Sequence, residues 1–424
     1  MARGFNFKQW LMVGFILRLS VMPFTFHGDI FFILLTPMYL IDGELDAYGT
    51  FAARYGLANN TGYYPPFTLL YFSFWEFILS CVFVDFPNFS EYLFENNAKG
   101  FLDSSTQFRW IFLLKVHYLA FDALLVNTIF RMLPSGDHHR KTFTIFWALN
   151  PVIVFGTYMV GQLDLIPSSL VVLSCYFCLR KGKEHFAALS LAAGCLFKVF
   201  PIIFLPMVIC LTCRTLKSAL KISLYGILPV VVIYGIFYGI SGSPIFSLFS
   251  GQQHNIEISM RPEAIILRGS QALIYAIVCF HIWKTPLSKL NYLILVQYFL
   301  IVYFAIYLGF FVSSVHRYIW FTPFILFWIH HNHQWRKPFY FFLMLIFLGC
   351  LRSRSTSLGI LAPINPKLFM SFPSVKDAAC FLMDCALYYK IITYVFKAAC
   401  VIGVGVLTRG LYISSFTIGN KTNK

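Results

Sequence analysis

The sequence predicts an all-α polytopic membrane protein that crosses the bilayer about twelve times. Three observations lead there. Of the 424 residues, 58% are hydrophobic and only 12% are charged, whereas a soluble domain carries about a quarter of its residues as charges. Apolar runs of spanning length recur along the whole chain. Lys and Arg stand singly or in twos and threes at the ends of those runs, which is how topology signals are distributed. That scatter also excludes nucleic acid as the partner of the +16 net charge. The 49 Phe and 24 Tyr suit a lipid-facing wall and its interfacial belts.

The first run, 9–26, has no small-residue cleavage site after it and reads as a retained span. Further spans are expected at 109–131, 142–159, 165–179, 185–199, 200–213, 221–240, 270–283, 290–311, 319–332, 338–351 and 388–408. Segment 64–85 is long enough to cross, but it opens with Tyr64-Pro65-Pro66 and carries Glu76. Charge decides its place. Basic clusters lie at Arg3/Lys8, Arg131/Arg140/Lys141, Arg180/Lys181/Lys183, Arg214/Lys217/Lys221, Lys284/Lys289, Arg336/Lys337 and Arg409/Lys421/Lys424. Placing all of them in the cytoplasm makes 27–108 one extracytoplasmic loop, with 64–85 an interfacial or re-entrant helix inside it. The chain is then a single transmembrane domain, 1–424. It comprises the loop 27–108, a motif-bearing core at 109–325 and C-terminal spans at 326–424. Cysteines give no framework: most of the 11 lie in apolar runs, and the C-x-x-C spacings at Cys175–Cys178 and Cys210–Cys213 lack a partner His or loop.

Ionisable groups near the far side of the membrane are the candidates for chemistry. Asp29, in His27-Gly28-Asp29, closes the first span; it is either a helix-end carboxylate or an acid within reach of a headgroup and an aqueous acceptor. Asp42-Gly43-Glu44-Leu45-Asp46 reads as a solvated acidic turn. Tyr64-Pro65-Pro66 fixes the backbone at the start of a new element. Lys115 and Asp122 are seven apart in one span and share a face, which suggests a structural buried pair or a hydrogen-bonded network. Gly161-Gln162-Leu163-Asp164, preceded by Asn150-Pro151, is a polar turn whose Asp164 either caps the next helix or lines a site. Lys198 stands at a turn on the far side, where the positive-inside pattern demands a partner for it. A phosphate is one such partner, and snorkelling is the alternative. His316-Arg317-Tyr318, with His254, Arg261 and Arg268 in the loop 241–269 and its flank, brings further basic groups to that face. A planar guanidinium suits phosphate oxygens.

In order along residues 14–325, these motifs resemble the GT-C integral membrane glycosyltransferases, in particular the GPI-mannosyltransferase-related, polyprenyl-phosphate-mannose-dependent group. The resembling pieces are Gly28-Asp29-Ile30, Tyr64-Pro65-Pro66, Lys115 with Asp122, Leu149-Asn150-Pro151 leading to Gly161-Gln162-Leu163-Asp164, Phe197-Lys198, and His316-Arg317-Tyr318. The resemblance implies the GT-C fold. It also implies inverting transfer of a sugar, mannose above all, from a polyprenyl or dolichyl phosphate to a lipid-linked or glycan acceptor on the lumenal or periplasmic face. Asp29 then matches the general base. Lys198, His316 and Arg317 match the donor-phosphate ligands, and Tyr64, Gln162, Asp164, His254 and Arg261 line the site. No cofactor or metal is implied; the partners are membrane lipid, the two substrates and a small membrane subunit. Two features depart from the pattern. His316 and Arg317 are adjacent where many relatives place an acid between them, and Asp29 stands alone where some GPI enzymes have paired acids. Two other functions fit an anion-friendly membrane protein. A flippase or transporter of lipid-linked sugar predicts internal repeats, and none is evident. A non-catalytic assembly subunit leaves Asp29 and Lys198 unexplained. The sequon Asn59-Asn60-Thr61 does not decide between endoplasmic reticulum and bacterial inner membrane.

Overall fold

The computed structural model describes residues 5–55, 64–86, 106–241, 262–286, 288, 290–307, 315–340, 351 and 356–421. His254, Arg261, the sequon and most of the expected span 338–351 lie outside the described residues. Within them, every element is a helix or turn.

Four helices are long and apolar enough to cross a membrane: Gln107–Met132, Leu216–Ile240, Ile265–Lys284 and Cys385–Leu411. A fifth arises if His138–Ala148 and Pro151–Met159, bent by 46°, count as one span. Other expected spans form shorter helices. Leu165–Cys178 and Glu184–Phe197 have 14 residues each, about 21 Å at 1.5 Å per residue, against a hydrocarbon core of about 30 Å. Apolar helices of membrane-spanning length are therefore present among the described residues, while twelve crossings are more than these helices reach by length.

The extracytoplasmic loop expected at 27–108 holds α2 (Gly28–Ile41), α3 (Ala47–Tyr55) and α4 (Pro66–Val82), following α1 (Phe7–Val21). The sequence gives each its start. Asn6 and Gln9 cap α1 reciprocally. Pro66 opens α4 at a position whose amide would be unbonded in any case. The expected first span, 9–26, stops short: α1 ends at Val21, and His27 caps the start of a separate helix, α2, its Nδ1 accepting the Asp29 amide at 3.2 Å. Asp29 thus lies in the first turn of a second helix rather than at the close of the first. Glu76 on α4 is buried.

The next elements in chain order are α5 (Gln107–Val116), α6 (Tyr118–Met132), α7 (Asp137–Ala148), α8 (Leu165–Cys178) and α9 (Glu184–Phe197). Helix α1 crosses α7 closely: a Cβ on Gly14 would stand 2.7 Å from that of Ala148, the small-residue contact by which membrane helices approach. That contact brings Arg18 against Asp122. Arg18 Nε donates to Asp122 Oδ2 at 2.6 Å, and its Nη atoms donate to the carbonyls of Gly14, Ala148 and Trp147 at 3.0, 3.1 and 3.3 Å. Tyr158 donates its hydroxyl to Asp122 Oδ2 at 2.7 Å, and the Trp147 indole donates to Oδ1.

The expected Lys115–Asp122 pair is therefore not made. Both side chains are buried, but Lys115 Nζ donates to the carbonyls of Met22, Thr25 and Met159 at 3.3, 2.5 and 2.9 Å. Seven residues of helix advance about 10.5 Å. The two side chains share a face at different depths, and each finds another partner.

The expectation of no cysteine framework also fails at one point. Cys380 and Cys385 form a disulfide, with Cα atoms 4.8 Å apart, between α16 (Val375–Leu382) and the final helix, α17 (Cys385–Lys421). In order before them come α10 (Leu205–Thr212), α11 (Leu216–Ser241), α12 (Pro262–Lys284), α13 (Tyr292–Tyr307), α14 (Thr322–His331) and α15 (Pro366–Phe369). Disulfides persist on the oxidising side of a membrane, the side to which charge assigns 352–387. Peptide mapping of membranes alkylated before reduction should recover Cys380 and Cys385 linked. Complete alkylation of both thiols would put this loop in the cytoplasm.

Candidate active site

Four segments meet at one end of the bundle: the head of α2, the turn 160–164, the turn after α9, and the 3-10 helix Val315–Trp320. The backbone between Val154 and Met159 winds as a π-helix, a widening frequent at functional sites. Asn150 caps the segment before it, accepting the amides of Val152 and Ile153 at 3.0 and 3.1 Å. Gly156 lets Val315–Trp320 pack on the widened turn, because a Cβ there would stand 3.3 Å from His316 Cα and 2.8 Å from Ile319 Cδ1. Gly161 turns the chain at φ +83°, and Ile30 of α2 occupies the space a Cβ would need. Tyr118 fixes the turn by donating to the Gly161 carbonyl at 2.8 Å.

The geometry then follows. Gln162, itself buried, donates its amide to Asp29 Oδ2 at 2.5 Å. His27 Nδ1 stands 3.4 Å from the same oxygen. Asp29 remains one-third exposed in its side chain, so its carboxylate is held on one side and open on the other. Burial alone would raise its pKa. The neighbouring His27 and the hydrogen bond from Gln162 outweigh burial and hold the carboxyl well below the usual carboxylate range. Tyr64 adjoins this group. Burial first, then the charges of Asp29 and Asp164, push its phenol up, so it stays a neutral donor.

Asp164 does not cap α8, whose N-terminus has no side-chain cap bond. Fully buried, it takes Lys198 Nζ on both oxygens at 2.8 Å, and the Trp320 indole donates to Oδ1. The far-side partner that Lys198 requires is thus supplied by Asp164. Trp320, which sequence reasoning missed, stacks on Phe200 with centroids 3.9 Å apart and lies under the Lys198 ammonium at 5.8 Å. Its only signal was three residues' distance from Arg317, in a chain that is 19% aromatic.

His316 is half-buried. Burial is the largest effect on it, with Asp164 and Asp29 raising and Lys198 and Arg317 lowering; its pKa falls to about 4. It is therefore neutral at physiological pH and offers a hydrogen bond, not a charge. Buried neutral, it favours the fold above its ordinary pKa, and that support is lost as pH falls toward 4. Asp29, Gln162, Asp164, Lys198, Tyr64 and His316 thus share one electrostatic environment, with Arg317 acting on it. Arg268 is exposed on α12.

This is a helical protein with membrane-length apolar helices and a polar cluster of acid, amide and basic groups gathered from separate turns. Comparisons with family models, with curated proteins and with solved structures find no match to the chain.

Proposed function

We propose that the chain is an inverting glycosyltransferase of the GT-C type. It would transfer a sugar, mannose by the resemblance of its motifs, from a polyprenyl- or dolichyl-phosphate donor to a glycan or glycolipid acceptor. The reaction takes place on the lumenal or periplasmic face, and the short apolar helices complete a twelve-span topology with their neighbours. The observation that carries this reading is Asp29: a carboxylate pinned by Gln162, kept ionised, and open on its other edge beside basic groups delivered by two other segments.

The chemistry needs that arrangement. Asp29 accepts the proton of the acceptor hydroxyl as its oxygen bonds to the anomeric carbon. The bond from that carbon to the lipid phosphate breaks with inversion, and the phosphate leaves as an anion. Lys198 and Arg317 supply positive charge for the leaving group, with a hydrogen bond from His316. Asp164 and Trp320 position Lys198.

The test is direct. Purified full-length protein in lipid nanodiscs is given radiolabelled polyprenyl-phosphate mannose or glucose with lipid-linked and free glycan acceptors. Labelled product with inverted anomeric configuration supports the reading. No transfer from any such donor, with intact donor recovered, overturns it.

A further inference from the structure

At the end of the bundle opposite Asp29, a second cluster is unused by this chemistry. Five of the chain's 11 histidines gather there: His138 and His139 at the start of α7, His330 and His331 at the end of α14, and His333 just after it. His139 Nδ1 and His330 Nε2 are 2.8 Å apart. The His330 ring lies 5.1 Å from that of His331 and 6.4 Å from that of His333. Arg336 follows, its guanidinium 5.3 Å from the centre of the Phe146 ring on α7. His330 and Arg336 therefore both face α7.

Two atoms in this cluster are left over. His330 is 3% exposed, and its Nδ1 is buried with no hydrogen-bond partner. Arg336 Nε is also buried without one. A buried donor left without an acceptor is unfavourable, because water is not there to replace the lost bond. Arg336 Nε is a donor at any pH of interest. His139 and His330 share one proton between facing nitrogens; when His139 holds it, His330 is the Nδ1–H tautomer and its orphan atom is a donor too. The charged or titratable groups acting on His330 are His331, His139, Arg336 and His333, every one cationic or neutral.

One fixed donor, Arg336 Nε, and one imidazole nitrogen that becomes a donor when His139 holds the shared proton, walled by imidazoles and a guanidinium, suit an anion. We propose that His330 and Arg336, with His139 behind them, form a binding site for a phosphate group, on the side marked by Arg140–Lys141 and Arg336–Lys337. Phosphate oxygens accept from an imidazole N–H and a guanidinium N–H together. The source is either a phospholipid headgroup of the adjacent leaflet or a free phosphate. The site stands independently of the glycosyltransferase reading.

The experiment measures thermal stability of the full chain in two series. In detergent, inorganic phosphate is titrated against chloride at fixed ionic strength. In nanodiscs, phosphatidylglycerol is titrated into phosphatidylcholine. Stabilisation in the nanodisc series alone identifies a lipid headgroup, and stabilisation in detergent identifies free phosphate. In either case Arg336→Gln and His330→Gln should weaken apparent affinity by roughly tenfold, the worth of one charge-assisted bond. Lys221→Gln, a basic residue elsewhere on that face, should leave it unchanged. If Arg336→Gln fails to fold, Arg336→Lys keeps the charge, removes Nε and should show the same loss. No stabilisation in either series overturns the proposal, as does stabilisation that persists in the Arg336 and His330 variants.

Discussion

Asp122→Ala should destabilise the fold by about 3–5 kcal/mol, the cost of leaving a buried charge without its counter-ion. The stranded charge is Arg18. It is 3% exposed and lies where α1, α6 and α7 converge. Removing the carboxylate also strands the Trp147 indole and the Tyr158 hydroxyl, both of which donate to it. The double variant Arg18→Met with Asp122→Leu should recover the part of the loss due to the stranded Arg18 charge, while the Trp147 indole and Tyr158 hydroxyl stay unpaired. Apolar groups of similar volume replace a buried ion pair at little net cost, although the Ala148 carbonyl at the end of α7 loses the Arg18 donor. Thermal unfolding in nanodiscs gives the comparison. If Asp122→Ala costs under about 1 kcal/mol, or the double variant is worse than the single, the pair is not the clamp the geometry describes.

That network shows where sequence reasoning stops. Composition and the placement of Lys and Arg were enough for the helical membrane class, because a bilayer forces both. The number of crossings was not legible in the same way. A helix of 14 residues such as α8 or α9 is marked apolar by its sequence, but its depth depends on its neighbours. Asp29 could be found because an acid at the edge of an apolar run is rare. Gln162 and Asp164 could be found because a polar turn interrupts two such runs. Their partners were not visible. Asp164 and Lys198 are 34 residues apart, and Arg18 and Asp122 are 104 apart; no periodicity links positions so distant. Arg18 sat in plain view inside the first run, and its position within an otherwise apolar helix was the unused signal. Trp320 carried none beyond its neighbours.

Asp29→Asn should lower sugar transfer by about 10²–10⁴-fold, the usual worth of a positioned general base, with donor binding and thermal stability nearly unchanged. The substitution keeps the side chain's size and leaves an oxygen to accept from Gln162, so the turn 160–164 should stay in place. What disappears is the second oxygen's ability to take a proton. The pH profile supplies an independent check. His27 and Gln162 hold the Asp29 carboxyl well below the usual range against the opposing effect of burial. The base is therefore ionised throughout the neutral range, and stability from its contacts is lost only as pH falls through that lowered value. Any acid limb of activity above about pH 5 must then come from another group, and His316, at about 4, lies below it. Gln162→Leu removes one of the bonds that favour the ionised form, so it should move the acid limb upward while leaving the alkaline side alone. Substantial turnover in Asp29→Asn would remove the general-base role. Loss of donor binding in the same variant would instead make Asp29 a ligand of the sugar, with the proton taken elsewhere.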